Sequence, residues 1–147
     1  MRVLIQRVLS SSVCLVKEGK KTKKTFIGKG LLLFVGIGKN DTRDTASFLA
    51  DKIFKLRIFE NNGKFDLSLA DMKGEVLAVP QFTLYGNTKK GRRPEFTAAG
   101  RPEMAKNLFD FFCDQLSVFV PCKKGFFGEK MEVELINDGP VTLMVEE

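Results

Sequence analysis

The 147 residues suffice for one domain with one core, and 44% apolar with 29% charged residues is ordinary for a globular chain. No apolar run approaches the ~20 residues that span a bilayer, and Arg7 follows Arg2 too soon for a signal-peptide core, so a cytoplasmic protein is expected. Histidine is absent, and Cys14, Cys113 and Cys122 are odd in number with no CxxC pair. That composition argues against a disulfide framework, a zinc site and any Ser-His or Cys-His nucleophile, and no cofactor or metal is expected.

Taken in chain order, residues 3–8 and 11–16 read as two short strands rich in β-branched residues. Lys17, Lys20, Lys21, Lys23 and Lys24 follow, either a solvated hairpin tip or an RNA-contacting finger. The run Gly30-Leu31-Leu32-Leu33-Phe34-Val35-Gly36 predicts a strand buried on both faces. Asn40-Asp41-Thr42 supplies a helix start. Ala46, Leu49, Ile53 and Leu56 then recur at helical steps.

Arg57-Ile58-Phe59 predicts a short strand entering an Asn61-Asn62-Gly63 turn, and residues 75–79 predict another strand, stopped by Pro80. Residues 86–101 are polar, basic and glycine-containing, as in a long loop. Pro102 then suits a first helical position ahead of Met104, Leu108, Phe112 and Leu116. Met131, Val133 and Leu135 alternate with charged residues, and Asn137-Asp138-Gly139-Pro140 predicts a hairpin turn into residues 141–145. The fold class expected is α+β: a single domain over 1–147, mostly antiparallel strands in a barrel-like sheet, with two main helices.

Three segments are candidates for chemistry. In Val79-Pro80-Gln81-Phe82-Thr83-Leu84 the proline releases neighbouring backbone groups, and freed N–H groups can serve an oxyanion; the alternative is an ordinary strand exit. Lys89-Lys90-Gly91-Arg92-Arg93-Pro94 concentrates four cations in five residues, suited either to RNA phosphates or to solubility. Gly139-Pro140 sits in a tight turn, where about 5–6% of X–Pro bonds are cis. The net charge of +6 and pI near 9.3 favour a polyanionic partner, nucleic acid before membrane.

Gln6-Arg7-Val8, the Gly30–Gly36 strand, Leu56-Arg57-Ile58-Phe59 and Gln81-Phe82-Thr83-Leu84 together resemble the D-aminoacyl-tRNA deacylase family. Lys90-Gly91-Arg92-Arg93-Pro94, Phe127-Gly128 and Asn137-Asp138-Gly139-Pro140-Val141-Thr142 extend the resemblance to the last strand. It implies a homodimer with active sites at the subunit interface, hydrolysing the ester that joins a D-amino acid to the 3′ end of tRNA. It implies that Gln81, Phe82 and Thr83 lie beneath the terminal adenosine, with the Phe82 N–H as oxyanion donor. Ala105, Phe127 and Met131 would shape the pocket, together with Pro80. A cis Gly139-Pro140, held by Arg7 and inserted from the other subunit, would exclude L side chains by its carbonyls. Glycyl-tRNA, having no side chain to exclude, would be admitted.

An aminoacyl ester is already activated, so the substrate's own 2′-hydroxyl can manage the proton. Thr83 as covalent nucleophile is the alternative, without an evident base. The chain departs from the family's usual residues at Pro80, Lys124 and Glu129. Pro80 raises a relaxed-chirality deacylase accepting L-alanyl-tRNA, or a non-catalytic tRNA-end binding module, as alternatives.

Overall fold

A computed structural model describes residues 1–147. The first strand, β1 (Arg2–Lys17), is twice the expected length and organises the sheet by pairing with three others. β2 (Lys20–Ile27) and β3 (Gly30–Gly36) run antiparallel to it in one continuous register, from Cys14 opposite Lys24 through Ser11 opposite Ile27 to Arg2 opposite Gly36. They behave as one long strand interrupted at Gly28, whose N–H turns aside to the Glu75 carboxylate at 2.8 Å. The β1–β2 connection is Glu18-Gly19, both at positive φ (51° and 75°). That is the two-residue turn whose twist suits a hairpin. The lysine cluster thus lies in paired strand as well as at the tip, with Lys21 and Lys24 bound to Glu132 and Glu134.

After β3 comes α1 (Arg43–Lys55), started by the Thr42 hydroxyl, which accepts from the Thr45 N–H at 3.3 Å. β4 (Phe59–Asn61) and β5 (Lys64–Leu67) form a separate small hairpin. Its turn, Asn62-Gly63, is again positive in φ at both residues. A short third helix, α2 (Leu69–Met72), was not expected. Ser68 and Asp71 cap it reciprocally, at 2.7 and 2.8 Å to the same carboxylate oxygen.

β6 (Glu75–Pro80) pairs in parallel with β3, and β7 (Cys122–Lys124) in parallel with β6. Between them lie a 3₁₀ turn (Phe82–Tyr85), a long loop and α3 (Pro102–Ser117). Pairing is therefore mixed: antiparallel around β1, parallel from β3 to β7. The sheet nearly closes into a barrel and carries three helices.

The last strand corrects an expectation. No hairpin forms at Asn137-Asp138-Gly139-Pro140: β8 (Met131–Glu146) runs straight on, antiparallel to β1 on both sides of the bend, from Leu15 opposite Met131 to Arg2 opposite Glu146. The register slips between Gln6 and Ser10, so the bend is an irregularity pushed out of the ladder rather than a reversal. Turn-forming residues serve either purpose. The long β1 decides, because it offers a pairing edge to both halves.

Leu31, Leu32 and Leu33 are all fully buried, as a two-faced strand requires. Leu31, Leu33 and Val35 meet Leu49 and Ile53 of α1 and Phe109, Phe112 and Leu116 of α3. Leu32 faces the other way, packing with Val8, Val13, Ile27, Leu77 and Val79, and β8 covers them with Met131, Val133 and Leu135. The three cysteines are free thiols.

Candidate active site

The parallel pair β3 and β6 ends together, with Val35 opposite Pro80. Proline cannot donate to the ladder, but the expected release of backbone groups starts one residue later than it suggests. The Gln81 N–H still reaches the Val35 carbonyl at 2.8 Å. The chain then winds into the 3₁₀ turn, closed by Leu84 N–H to Gln81 O at 3.3 Å and Gly86 N–H to Thr83 O at 2.9 Å. The N–H groups of Phe82 and Thr83 open that turn and have no acceptor within it. They remain for a ligand. The Gln81 side-chain amide donates to the Thr83 hydroxyl.

Two glycines let this turn sit against the sheet. A Cβ at Gly36 would lie 3.1 Å from the Leu84 Cβ, and one at Gly38 would lie 2.6 Å from the Tyr85 hydroxyl. The Arg2 guanidinium covers the Tyr85 ring at 4.7 Å and donates to the Leu84 carbonyl at 3.0 Å. Burial, helped by nearby Asp41, pushes the Tyr85 phenol up to about 12. It is a structural, neutral ring.

The long loop returns to build the opposite wall. Phe96 meets Phe82 edge-on at 5.0 Å. The Gly100 N–H then donates to the Ile37 carbonyl at 2.8 Å and the Lys39 N–H to the Ala98 carbonyl at 3.1 Å. From there the chain enters α3 at Pro102, which presents Ala105. The segment after β7 contributes Phe127 and Gly128. It is fastened by the Gly125 N–H to the Ala78 carbonyl at 2.8 Å.

Together these residues enclose a cavity of about 390 Å³, lined by Val35, Ile37, Pro80, Gln81, Phe82, Phe96, Ala99, Gly100, Pro102, Ala105, Phe127 and Gly128. That volume is in the range of small-molecule sites, about 300–1,000 Å³. No lining side chain is ionisable. A second cleft of about 420 Å³ shares Pro80, Gln81, Phe82 and Gly128 and adds Met131, with Glu129 and Lys130 among its residues. No group of three acidic, cysteine or histidine side chains is placed to hold a metal.

Of the residues expected at the site, Pro80, Gln81, Phe82, Ala105 and Phe127 are therefore brought together, Met131 lines the adjoining cleft, and Thr83 hydrogen-bonds to Gln81. Arg7, Gly139 and Pro140 form a different cluster. Arg7 is 3% exposed, and its guanidinium donates to the carbonyls of Asp138 (3.0 Å) and Ile58 (2.7 Å) and to the Glu60 carboxylate (3.1 Å). It also pairs with the Asp138 carboxylate at 3.2 Å. Gly139-Pro140 is cis, and Gly139 adopts φ 128°, where a Cβ would meet the Arg7 guanidinium at 2.9 Å. Arg7 sits opposite Leu31, four residues and so about 13 Å along β3 from Val35 in the cavity wall. Both residues of the bend are exposed to solvent.

Sequence reasoning missed Phe96, Ile37, Ala99 and Gly100. An isolated phenylalanine in an otherwise polar, basic loop was the available signal. Of the departures from the family pattern, Lys124 turns away from the cavity to Asp114 at 2.7 Å and Asp110 at 3.5 Å, both on α3. It does not pair with Glu129.

The family model described as D-Tyr-tRNA(Tyr) deacylase matches residues 4–146. This chain belongs to that family. It is thus an ester hydrolase of D-aminoacyl-tRNA. A solved structure described as "c-Myc DNA Unwinding Element Binding Protein" is 36% identical over 100% of this chain and 99% of its own, with a TM-score of 0.88. Another, "Structural Analysis of a probable eukaryotic D-amino acid tRNA deacylase", is 19% identical over 98% and 97%, with a TM-score of 0.83, and shows the shared fold. No helix of this deacylase is long and apolar enough to cross a membrane.

Proposed function

We propose that this deacylase performs chiral proofreading in the cytoplasm as a homodimer, hydrolysing D-aminoacyl-tRNA with no ionisable side chain of its own in the reaction. The observation that carries this reading is the uncharged cavity beside unpaired Phe82 and Thr83 N–H groups. The terminal adenosine and aminoacyl group occupy the cavity. Water adds to the ester carbonyl, and the resulting oxyanion accepts a hydrogen bond from the Phe82 N–H. The 3′-oxygen leaves with a proton relayed through the neighbouring 2′-hydroxyl, giving free amino acid and tRNA. One preorganised oxyanion donor is worth about 3–4 kcal/mol, and positioning supplies much of the rest. Thr83 is not required as a nucleophile: its hydroxyl is bound to the Gln81 amide, and no base adjoins it.

Handedness is judged by the Gly139 and Pro140 carbonyls of a second copy. Within one chain the bend is anchored at Arg7, about 13 Å along β3 from the cavity wall, which supports its reaching a partner's site rather than its own. Exposed Leu143 and Met144 on β8 and 59% exposed Phe82 support a subunit contact on these faces. A wall that excludes an L side chain has nothing to exclude in glycine, so glycyl-tRNA is also a substrate.

The test is one hydrolysis assay on D-tyrosyl-, glycyl- and L-alanyl-tRNA, repeated with a 2′-deoxy terminal adenosine. Rapid loss of the first two, sparing of the third and collapse of activity without the 2′-hydroxyl are expected. Equal rates on L-alanyl-tRNA would instead support the relaxed-chirality reading, which Pro80 in the lining favours. Tight binding of all three without turnover would leave only a tRNA-end binding module.

A further inference from the structure

We propose that the exposed loop of Lys89, Lys90, Arg92 and Arg93 is the clamp that holds the phosphates of the tRNA's 3′ strand, and that the lysine-rich β1–β2 hairpin is not. This rests on the reading that the neighbouring cavity holds the terminal adenosine.

The two basic clusters differ in what surrounds them. In the hairpin, Lys21 lies 2.7 Å from Glu132 and Lys24 lies 3.9 Å from Glu134, so part of its charge is already answered by β8. Arg2, Arg7, Lys55, Arg57, Lys106, Lys123 and Lys124 are likewise paired with carboxylates, whereas Lys17, Lys20 and Lys23 of the hairpin are not. None of the four loop cations has such a partner. The loop's one carboxylate, Glu95, is instead bound by the Asn87 side-chain amide at 2.7 Å. The four stand within five residues of one another on one exposed tip. Unpaired like charges held this close repel one another, and a polyanion relieves that repulsion by displacing its own counterions.

The tip is also held against the cavity. Asn87 and Glu95 bridge its base with N–H to carbonyl bonds of 2.8 and 3.1 Å. The next residue, Phe96, is a cavity wall in edge contact with Phe82. Arg93 is three residues from Phe96, so its Cα is within about 11 Å of that wall. A strand whose last base fills the cavity must pass the loop with its preceding phosphates. The hairpin is fastened instead to β8 beside the adjoining cleft, by the Val16 N–H to the Lys130 carbonyl at 2.9 Å and by Leu15 opposite Met131. Arginine and lysine contacts to phosphate set register and carry no sequence preference. The clamp would therefore serve charged tRNAs alike.

The test compares the fourfold variant Lys89→Gln, Lys90→Gln, Arg92→Gln, Arg93→Gln with a hairpin variant, Lys17→Gln, Lys20→Gln, Lys23→Gln. All seven positions are exposed, so both proteins should fold. On D-tyrosyl-tRNA the loop variant should raise KM about tenfold or more. It should also flatten the slope of log(kcat/KM) against log salt by about 2–3, at roughly 0.7 per released phosphate contact on a single strand. On D-tyrosyl-adenosine, which has no phosphate, it should match the wild type. The hairpin variant should match the wild type on both. An unchanged salt slope in the loop variant, an equal loss on D-tyrosyl-adenosine, or the larger loss in the hairpin variant would overturn the clamp. So would duplex DNA competing through these residues as well as tRNA. If the wild type hydrolyses neither substrate, the functional reading fails on its own. The same salt slopes, measured by binding uncharged tRNA, then still decide the clamp.

Discussion

Arg7 is the residue whose removal should be felt both in stability and in selectivity. Replacement by methionine keeps the apolar stem but deletes every guanidinium contact. The Ile58 and Asp138 carbonyls, bonded at 2.7 and 3.0 Å, lose charged donors. A hydrogen bond to a charged group is worth about 1.5–3 kcal/mol. The two acids left behind, Glu60 and Asp138, are 52% and 29% exposed and can rehydrate, so they add little. The expected loss is therefore about 3 kcal/mol, below the ~3–5 of a fully buried broken pair. For a domain of this size that lowers Tm by roughly 10 °C. Arg7→Lys should fall between, because one ammonium cannot reach both carbonyls and the Glu60 carboxylate. Urea unfolding gives the stability, and the ratio of D-tyrosyl- to L-tyrosyl-tRNA hydrolysis in the folded variant gives the selectivity. With the Asp138 anchor gone, the carbonyls of the bend lose their fixed position and the ratio should fall at least tenfold. A variant within 1 kcal/mol of the wild type with an undiminished ratio would refute the anchor.

Gly38→Ala should place a methyl 2.6 Å from the Tyr85 hydroxyl. That ring is backed by Arg2, so the strain costs about 1–3 kcal/mol and displaces the turn bearing Phe82. A kcat reduced tenfold or more with intact secondary structure is the expected readout. Thr83→Val should keep most of the wild-type kcat, and complete loss would restore the nucleophile reading. Glu75 accepts from the Gly28 N–H, and this together with Lys123 holds its carboxyl below the ordinary glutamate range. Its contribution is therefore present above the unfolded value near 4.3 and disappears as pH falls through the lower folded value. Glu75→Gln should accordingly cost about 1–2 kcal/mol at pH 7 and progressively less as pH falls below the unfolded value; a difference independent of pH would contradict this. Lys124→Thr removes ion pairs to Asp110 and Asp114 that are one-third exposed or more. It should cost about 1 kcal/mol or less and leave substrate selectivity unchanged.

Local signals carried the elements whose burial follows from their own residues. The Gly30–Gly36 run is apolar at every second position on both faces, and only a strand in the middle of the molecule uses that pattern. The two long helices announce themselves by period, by Thr42 and by Pro102. What could not be read locally was decided by distant partners. Asn137-Asp138-Gly139-Pro140 has turn chemistry, yet β1, some 130 residues earlier, captures both flanks and makes it a bulge. The merging of two predicted strands into β1 has the same origin, since β8 pairs along both halves and spans the gap between them. The motif residues of the site were recognised from their resemblance to the family. The wall made by Phe96, Ala99 and Gly100 was not, because it depends on the loop being stitched back to Ile37 and Lys39.

The position of the cavity follows from the one non-antiparallel part of the sheet. Parallel strands release their carboxyl ends at the same edge, and ligands in such sheets collect there. β3, β6 and β7 are parallel neighbours. Their exits provide Val35 and Ile37, then Pro80 to Phe82, then Phe127 and Gly128. Three walls thus come from neighbouring strands, α3 supplies a fourth through Pro102 and Ala105, and the loop stitched to Ile37 supplies a fifth through Phe96, Ala99 and Gly100. None of them carries an ionisable side chain, so the site can be preorganised without any charge that water would have to solvate. For an ester that is already activated, the proposed mechanism asks only for fixed N–H donors, which need no reorganisation when the oxyanion forms. An introduced carboxylate should therefore hinder rather than help. Ala105→Asp would set a negative charge in the cavity that Phe82 also lines, disfavouring a developing oxyanion there, and kcat should drop at least tenfold at pH 7. A gain in kcat would mean that the reaction was short of a base after all.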